Sequence, residues 1–278
     1  MASKQSVRLG AVPETLLVPL YARAVESRRK HPILDDSMAV EMVESIDWDF
    51  QRFDQRLRVI GCTLRSAMFD DWVKDFLRDH PEGTVVEIGC GLNTRFERLD
   101  NGRVHWFDLD LPEVIELRRK FFTDSERRAT LAASVLDPDW MASVRQSPGP
   151  YIFVAETVLV YLQEQEVKKA LAQIAQNFPC ANIAFDTLSR RAVDGGNKDH
   201  ARQKLAARFA WACNDPKEIQ GWNIGLRLVE SRTIANIPAH LRSRLSLPLR
   251  TSFSVLAKLF RKQLKAYQLN LFAGQPAG

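Results

Sequence analysis

The sequence feature that most constrains the fold is a short apolar segment that ends in two closely spaced glycines. Residues Thr84–Ile88 are rich in β-branched side chains and continue directly into Gly89-Cys90-Gly91. Because glycine tolerates backbone conformations closed to other residues, the chain can turn sharply here and approach a ligand closely. The segment predicts a strand, a tight turn and the start of a helix, with a binding site at the turn.

The rest of the chain repeats this alternation of short apolar segments and helical stretches. Further strands are predicted at residues 103–109, 151–155, 181–185, 226–234 and 266–272. Helices are predicted at residues 113–122 and 163–177, over 187–213 around a break at Gly195-Gly196, and as a basic helix before the last strand. Strands that alternate with helices indicate right-handed βαβ units and a mostly parallel sheet, so the predicted fold class is α/β.

The N-terminal quarter has a helical pattern. Between residues 12 and 80, apolar residues recur at three- and four-residue spacing, among them Leu57, Ile60, Leu64, Met68 and Trp72. Proline and glycine in His80-Pro81-Glu82-Gly83 end the pattern. We therefore predict a single domain, 1–278, made of an N-terminal helical cap (12–80), a core that carries the binding site (81–186) and a C-terminal part with the late strands (187–278).

Composition argues against several classes of protein. With 45% hydrophobic residues, the chain can bury a core. No apolar run reaches about 18 residues and no secretory signal pattern is present, so we expect a soluble, cytoplasmic protein without a membrane partner. Because Cys62, Cys90, Cys180 and Cys213 are far apart and form no C-x-x-C pair, we expect no metal site.

Charge is distributed unevenly along the chain. Residues 187–278 contain 16 Lys and Arg against 5 Asp and Glu, whereas residues 1–186 contain 23 against 29. A basic surface of this kind is either a solvated face or one that attracts an acidic partner. No nucleic-acid-binding motif accompanies it, so we expect no nucleic-acid partner. The sequence leaves the oligomeric state open.

A second strand end supplies carboxylates at a spacing typical of nucleotide-binding sheets. Asp108 and Asp110 follow the glycine turn by about twenty residues, a position from which a carboxylate accepts hydrogen bonds from ribose hydroxyls. A nicotinamide-dependent enzyme has the same arrangement. However, Thr94 replaces the third glycine of the pyrophosphate-binding pattern, so a nucleoside without phosphates fits better.

Longer segments around these strand ends carry a family resemblance. They read EIGCGLNTR at residues 87–95, WFDLDLPEVI at 106–115 and AETVLVYL at 155–162, preceded by YARA at 21–24 and TLRS at 63–66. Taken together, they resemble the leucine carboxyl methyltransferase family, including its bacterial polyketide O-methyltransferase branch, over residues 12–186. The resemblance implies a Rossmann-like class I methyltransferase fold with a mostly parallel seven-stranded sheet, an N-terminal helical layer and a helical lid insertion.

The resemblance also implies a cofactor, S-adenosylmethionine, which such enzymes convert to S-adenosylhomocysteine without a metal. By position, Arg23 and Arg65 would contact the methionine carboxylate, Asp110 the ribose and Glu156 the amino group. The implied cofactor-binding residues are Arg23, Arg65, Glu87, Gly89, Cys90, Gly91, Asp110, Leu111, Ser134, Val135, Glu156 and Thr157. Ser134 departs from the family pattern, which carries an acidic residue against the adenine at this position.

The acceptor is less constrained than the cofactor. A carboxylate is already ionised and needs no base, whereas a hydroxyl needs a proton acceptor. Among the histidines, His200 is the best candidate for such a base. Tyr161 either positions the acceptor or packs under the next helix. Arg190 and Arg191, just beyond the strand predicted at 181–185, favour an anionic acceptor.

We therefore expect an O-methyltransferase that forms the methyl ester of a carboxylate on a small natural product or peptide. Methylation of a hydroxyl or phenol of a polyketide-like metabolite and methylation of a protein's C-terminal leucine carboxylate are alternatives within the same class. A third alternative is a regulatory module that binds S-adenosylmethionine or another nucleotide without turnover, because a fold alone does not prove catalysis.

Overall fold

The computed structural model of the protein describes residues 5–6, 13–259 and 261–276. The predicted domain 1–278 and the predicted cap from residue 12 thus include positions that lie outside the described residues. The described strands are β1 (Gln5–Ser6), β2 (Ile46–Asp47), β3 (Thr84–Ile88), β4 (His105–Asp110), β5 (Arg128–Ala132), β6 (Tyr151–Ala155), β7 (Asn182–Leu188), β8 (Leu226–Arg232) and β9 (Tyr267–Gly274). The α-helices are α1 (Leu17–Ser27), α2 (Ser37–Ser45), α3 (Arg56–Asp79), α4 (Arg95–Leu99), α5 (Pro112–Arg118), α6 (Trp140–Val144), α7 (Glu164–Asn177), α8 (Arg190–Arg202), α9 (Ala239–Arg244), α10 (Leu247–Leu259) and α11 (Arg261–Leu264). No helix in these ranges is both long and apolar enough to cross a membrane.

Seven of the strands form one sheet in the order β5-β4-β3-β6-β7-β9-β8. Strands β3 to β7 pair in parallel. Strand β9 runs antiparallel to both of its neighbours, β7 and β8. The mostly parallel seven-stranded sheet predicted from the sequence is therefore confirmed.

The central strands are covered on both faces. Every residue of β3 is buried. Val86 and Phe153 belong to one hydrophobic core, whereas Val85 and Ile152 belong to a second one. Because successive side chains of a strand point to opposite faces, the two cores lie on opposite sides of the sheet. A strand buried on both faces is apolar almost throughout instead of alternating, which explains Val85, Val86 and Ile88, and Glu87 is the one charged residue of β3.

The pairing register aligns the carboxyl ends of three neighbouring strands. Ile88 of β3 pairs with Leu109 of β4 and with Ala155 of β6. The residues that follow them, which include the glycine turn, Asp110 and Glu156, therefore meet at one edge of the sheet. In open parallel sheets this edge is where ligands bind.

Several elements differ from the sequence-based predictions: β1, β2 and α6 are not predicted, and α5 ends at Arg118 instead of residue 122. No strand is predicted at β5, which forms one edge of the sheet and opens with the buried Arg128 instead of an apolar residue. The predicted helix over 187–213 is wrong at both ends, because residues 187–188 belong to β7 and α8 ends at Arg202. Lys204 then adopts a φ of 58°, a left-handed conformation that terminates helices. Residues 205–213 continue as a segment without regular secondary structure, the strap.

The N-terminal and C-terminal helices cover one face of the sheet together. Phe69 and Trp72 of α3 join the core that contains Val85. Leu241 of α9 belongs to the same core, and Phe253 of α10 packs against it. The basic helix α9 also contacts α3 directly, because His240 Nε2 lies 3.0 Å from Asp71 Oδ1.

A buried ion-pair network joins the N-terminal helices to the carboxyl edge of the sheet. The guanidinium group of Arg95, at the start of α4, is fully buried and pairs with Asp70 of α3 at 2.7 Å, with Glu87 of β3, and with Glu156 after β6 at 2.6 Å. Arg65 of α3 also pairs with Glu156, at 2.6 Å. The helical layer is therefore tied to two strand ends through charged groups.

The same network extends to the first two helices. Arg98 lies 3.0 Å from Asp70 and 3.4 Å from Asp36, and Asp36 pairs with Arg23 of α1 at 2.8 Å. The complete carboxyl-edge network contains Arg23, Arg65, Arg95 and Arg98 together with Asp36, Asp70, Glu87 and Glu156. Four cations match four anions, which is the condition under which buried charges are tolerated.

Loss of the Arg95 guanidinium should destabilise the protein strongly. In Arg95→Met, three buried carboxylates lose a common partner, so we expect the free energy of unfolding to fall by about 3–5 kcal/mol. Denaturant titration followed by circular dichroism measures this loss. Arg103→Met is the matched control, because Arg103 pairs with Glu82 where both side chains are largely exposed, and little change is expected. Equal, small losses in both variants would contradict a stabilising role of the network.

Candidate functional site

The carboxyl ends of β3, β4 and β6 open into a cavity of about 330 Å³. Its wall includes the glycine turn after β3, Asp110 at the end of β4 and Glu156 after β6. A short 3-10 turn at Pro13–Leu16, together with α1 and α3, closes the cavity from one side. Helix α8 and the strap close it from another side. The cavity thus lies where the sequence places the binding site.

The turn after β3 requires glycine. Gly89 has a φ of +63° and Gly91 a φ of +49°, a region that other residues rarely adopt. A β-carbon on residue 89 would also lie 2.3 Å from Cγ2 of Val158. The backbone of the turn is held by N–H groups of Gly89 and Cys90, which donate to the carbonyl of Leu109.

The two aspartates of β4 have different surroundings. Asp110 accepts hydrogen bonds from the N–H groups of Gly91 and Leu111, each at 2.7 Å, through different carboxylate oxygens. Burial raises the pKa of Asp110, although these two hydrogen bonds oppose the shift. Asp108 instead points away from the cavity lining and pairs with the guanidinium groups of Arg118, at 2.9 Å, and Arg128, at 2.8 Å. Only Asp110 is therefore positioned to accept hydrogen bonds from a ligand.

Glu156 and Arg65 place opposite charges side by side in the cavity wall. Glu156 Oε1 accepts hydrogen bonds from Arg65 Nε at 2.6 Å and from the Ser66 hydroxyl at 2.8 Å. Burial alone would raise the pKa of Glu156, but Arg65 and Arg95 outweigh it and lower the pKa to about 2. Glu156 is therefore ionised at neutral pH, and the pair matches the two charged groups of an α-amino acid.

Two buried oxygen atoms of the wall lack a donor. Neither Glu87 Oε2 nor Asn93 Oδ1 has a hydrogen-bond partner within the described part of the chain. Glu87 Oε1, in contrast, accepts from Arg95 and from the Asn93 side chain. Because a buried acceptor without a donor is costly, a ligand with N–H groups would improve this site.

The opposite part of the cavity is lined by rings. Tyr161, His200 and Phe209 all contribute to its wall. The Nδ1 atom of His200 lies 3.0 Å from the carbonyl oxygen of Ala207. A carbonyl only accepts, so we assign the proton to Nδ1, which leaves the lone pair of the neutral ring on Nε2. Burial raises the pKa of Tyr161 to about 12, so its phenol stays protonated at neutral pH.

Most of the residues singled out in the sequence meet in this cavity. The wall includes Arg23, Arg65, Glu87, Gly89, Cys90, Gly91, Asp110, Leu111, Glu156, Thr157, Tyr161 and His200. Arg23 donates from Nε to Asp36 at 2.8 Å and from Nη2 to the carbonyl of Leu92 at 2.7 Å. Its predicted contact with a ligand carboxylate stays a prediction.

Four predicted residues lie outside the cavity lining. Val135 is buried in the hydrophobic core, and the Ser134 hydroxyl accepts a hydrogen bond from the N–H of Leu136 at 3.2 Å. Arg190 and Arg191 are exposed in the first turn of α8. Their predicted contact with an anionic acceptor stays a prediction, and the first residue of α8 that lines the cavity is Gly196.

Several wall residues were missed by sequence reasoning. Arg58, Asp199 and Gln203 line the cavity, and Arg58 pairs with Asp199 at 2.7 Å. They connect α3 to α8 across more than a hundred residues, so no local pattern could indicate them. Phe209 lies in the strap, which has no periodicity to interpret. Asn93 also lines the cavity, and it lies within the EIGCGLNTR segment at residues 87–95.

The residue after Glu156 has an unusual backbone. Thr157 adopts a φ of 57°, which is rare for a β-branched residue. The Asp186 carboxylate holds this conformation, because it accepts hydrogen bonds from the Thr157 N–H and hydroxyl groups, both at 2.9 Å. Tyr267 of β9 also donates its hydroxyl to Asp186. Asp186 thus fixes the turn that aims Glu156 and Val158 into the cavity.

Comparisons with known proteins agree with the family resemblance. The leucine carboxyl methyltransferase family model matches residues 17–175. The tetracenomycin polyketide synthesis O-methyltransferase TcmP of Streptomyces glaucescens is 31% identical over 238 residues, which cover 84% of this chain and 87% of that protein. The S-adenosyl-L-methionine-dependent methyltransferase dpfgK of Gibberella zeae is 26% identical over 263 residues, 86% of this chain and 87% of that protein. A DUF574 family protein from Streptomyces avermitilis has a TM-score of 0.57 at 13% identity, over 94% of this chain and 97% of that one, which shows a shared fold.

The strain at Thr157 predicts an energetic coupling to Asp186. Asp186→Asn removes one acceptor from a buried cluster, so we expect the free energy of unfolding to fall by about 1–3 kcal/mol. In a Thr157→Gly background the left-handed turn needs no such support. There, the loss in free energy of unfolding caused by Asp186→Asn should be smaller by at least about 1 kcal/mol. Denaturant titration of the four proteins in this double-mutant cycle measures the difference. Additive losses would show that Asp186 does not hold the turn.

Proposed function

The chain belongs to the leucine carboxyl methyltransferase family and is an S-adenosylmethionine-dependent O-methyltransferase, and from this premise we propose that its acceptor is a carboxylate of a small natural product or peptide. The product in this proposal is a methyl ester, and S-adenosylhomocysteine is released. Three sets of residues support the cofactor assignment, namely the glycine turn, Asp110 and the Arg65–Glu156 pair. The rings of Tyr161, His200 and Phe209 line the part of the cavity left for the acceptor.

The observation that carries the cofactor assignment is the grouping of complementary polar atoms in one cavity. Arg65 and Glu156 would face the carboxylate and the ammonium group of the methionine part. The free Oε2 of Glu87 supplies a further acceptor for N–H groups. Asp110, whose two oxygens each accept only one backbone hydrogen bond, retains lone pairs for ribose hydroxyls.

The cofactor, when bound, supplies an electrophilic methyl group on a sulfonium. The task of the chain is to align an acceptor oxygen with that methyl group and to exclude water. Alignment accounts for about 7–11 kcal/mol of barrier lowering in such displacements. Apolar side chains on both sides of the cavity, including Leu16, Pro19, Val158 and Leu205, would exclude water from the reacting atoms.

A carboxylate acceptor agrees with the chemistry of the side chains. It is ionised at neutral pH, so methyl transfer to it needs no proton acceptor. Tyr161 can donate a hydrogen bond to a carboxylate, because its phenol is protonated. The name of the relative TcmP supports a natural product.

A hydroxyl or phenol acceptor is the second candidate, and His200 is the observation that favours it. Its Nδ1–H group donates to the carbonyl of Ala207, which fixes the ring and leaves Nε2 as the basic atom in the cavity. In this candidate reaction, Nε2 of His200 would take the proton of the acceptor hydroxyl while the oxygen–carbon bond forms. Proton transfer of this kind contributes about 10²–10⁴ in rate.

The cofactor assignment predicts the effect of Asp110→Asn on binding. The amide places an N–H group where the ribose hydroxyl must donate, so we expect the affinity for S-adenosylmethionine to fall by about 10-fold or more in calorimetric titration. Arg103→Met is the control, because Arg103 is exposed and lies outside the cavity lining, and the affinity of this variant should stay unchanged. Binding of NAD without binding of S-adenosylmethionine, or full affinity in Asp110→Asn, would refute the assignment.

The two candidate acceptors make opposite predictions for His200→Asn. This substitution keeps a donor near the carbonyl of Ala207 and removes Nε2. With a carboxylic acid, release of S-adenosylhomocysteine should change by less than about 10-fold, whereas with a phenol it should fall by about 10²–10⁴. The wild-type enzyme should methylate an acid but not its amide. Equal turnover of acid and amide would exclude the carboxylate as acceptor.

A further inference from the structure

Helix α10 has apolar side chains on two opposite sides. Leu249 and Phe253 pack against the hydrophobic core that α3 forms with the sheet. Leu247, Val255 and Leu259 are exposed instead, to 74%, 48% and 69%. At about 3.6 residues per turn, these three side chains lie within one third of the helix circumference, on the side opposite the packed pair. We call Leu247, Val255 and Leu259 the exposed stripe.

The exposed stripe extends along most of the helix. Leu247 and Leu259 are separated by about 18 Å, because an α-helix rises about 1.5 Å per residue. Thr251 and Lys258, on the same side of the helix, are exposed as well. Single exposed apolar side chains are ordinary, whereas a row of them on one helix face indicates an interaction surface.

The segment that carries the stripe contains no carboxylate. Residues 237–278 include seven Lys and Arg and no Asp or Glu. Among the described residues, Arg242 donates to a hydroxyl group, and Arg244 and Arg250 donate to backbone carbonyls, so these guanidinium groups have no anionic partner. The positive charge of this face is therefore unbalanced within the protein and suits an anionic surface.

A basic cleft opens at one end of the exposed stripe. It is lined by Arg29, which follows α1, and by Arg244, Leu247 and Arg250 at the junction of α9 and α10. Glu26 also lines the cleft and pairs with Arg29 at 3.0 Å. Arg244 donates to one backbone carbonyl and Arg250 to two, so both have further N–H groups for a ligand. Because Leu247 belongs to the cleft and to the stripe, an anionic group and an apolar surface can be bound side by side.

The chemistry of this face favours a lipid bilayer over a protein. Protein interfaces concentrate their binding energy in Trp, Tyr and Arg, whereas Leu, Val, Ser and Thr contribute rarely. The exposed residues of α10 are Leu, Pro, Thr, Ser, Val and Lys. A second copy of the chain in a symmetric contact would place this basic face against itself. An anionic bilayer suits both properties, because its acyl chains accommodate Leu and Val while its phosphate groups pair with Lys and Arg.

We propose that α10 binds the surface of anionic membranes, with the exposed stripe at the boundary between headgroups and acyl chains and a lipid phosphate in the basic cleft. A helix bound in this way lies in the plane of the interface and needs no spanning length. The inference replaces the expectation of no membrane partner, which rests on the lack of a spanning segment. It is independent of the acceptor in the proposed function.

Sedimentation with vesicles tests the inference without turnover. The probes are vesicles of phosphatidylcholine and vesicles of equal parts phosphatidylcholine and phosphatidylglycerol. We expect at least about 10-fold tighter binding to the mixed vesicles, and the preference should fall as salt is added, because salt screens attraction to the headgroups. No binding to the mixed vesicles, or equal binding to both kinds, would overturn the inference.

Matched variants assign the binding to α10. Leu247→Ser should weaken binding to the mixed vesicles by about 10-fold or more, the effect of one buried leucine side chain. Leu57→Ser is its control, because Leu57 is exposed to 76% near the start of α3, and binding should stay unchanged. Lys258→Gln should weaken binding by about 5-fold, whereas Lys169→Gln, on α7, should have no effect. Unchanged binding in either Leu247→Ser or Lys258→Gln, in proteins with native circular dichroism, would overturn the inference.

Three further measurements test the other occupants of this face. Tighter binding of poly-L-glutamate than of the mixed vesicles would assign the face to an acidic protein. A dimer that Leu247→Ser dissociates, followed by light scattering, would assign it to a second copy of the chain. Calorimetric binding of inorganic phosphate that Arg244→Gln removes, without binding of the mixed vesicles, would assign the cleft to a free anion. Each of these results would overturn the inference, and we expect none of them.

Discussion

The fully buried guanidinium of Arg95 is the interaction on which the rest of the structure depends. It binds a carboxylate from α3, one from β3 and one from the segment after β6. These elements are far apart in sequence and belong to different layers. Because a buried cation is stable only when its partners stay in place, the network fixes the helical layer against the carboxyl edge of the sheet. The same edge forms the floor of the cavity.

This arrangement explains how the cavity keeps ionised carboxylates in a buried position. Glu156 stays charged because Arg65 and Arg95 outweigh the effect of its burial on the pKa. Glu87 receives hydrogen bonds on one oxygen only, and burial raises its pKa despite the nearby Arg95. Both oxygens of Glu156 thus have hydrogen-bond donors within the protein, whereas Oε2 of Glu87 has none among the described residues. In the proposed function this imbalance favours a ligand that brings its own N–H donors.

Sequence reasoning predicted the parts of the fold and site that depend on local patterns. Strand β3 and the glycine turn are recognisable because a doubly covered strand is apolar and a positive φ demands glycine. Strand β5 was missed because its first residue is an arginine that pairs with Asp108 and Glu97 across the structure. Arg95 stood inside a recognised segment, but its partners come from elements that only the tertiary fold brings together. Tyr161, His200 and Phe209 likewise come from separate segments that only the tertiary fold brings together.

The cavity combines two kinds of rigidity, and they have different origins. Its charged part is built on strand ends and helices, where pairing register fixes Gly89, Asp110 and Glu156 relative to one another. Its aromatic part includes Phe209 of the strap, which has no ladder of backbone hydrogen bonds. There, side-chain and single backbone contacts replace secondary structure: Asn197 holds Phe209, and the carbonyl of Val160 holds the two residues after it. Such contacts can be exchanged individually without loss of the sheet, so the ring-lined part of the cavity can change in evolution while the charged part stays fixed.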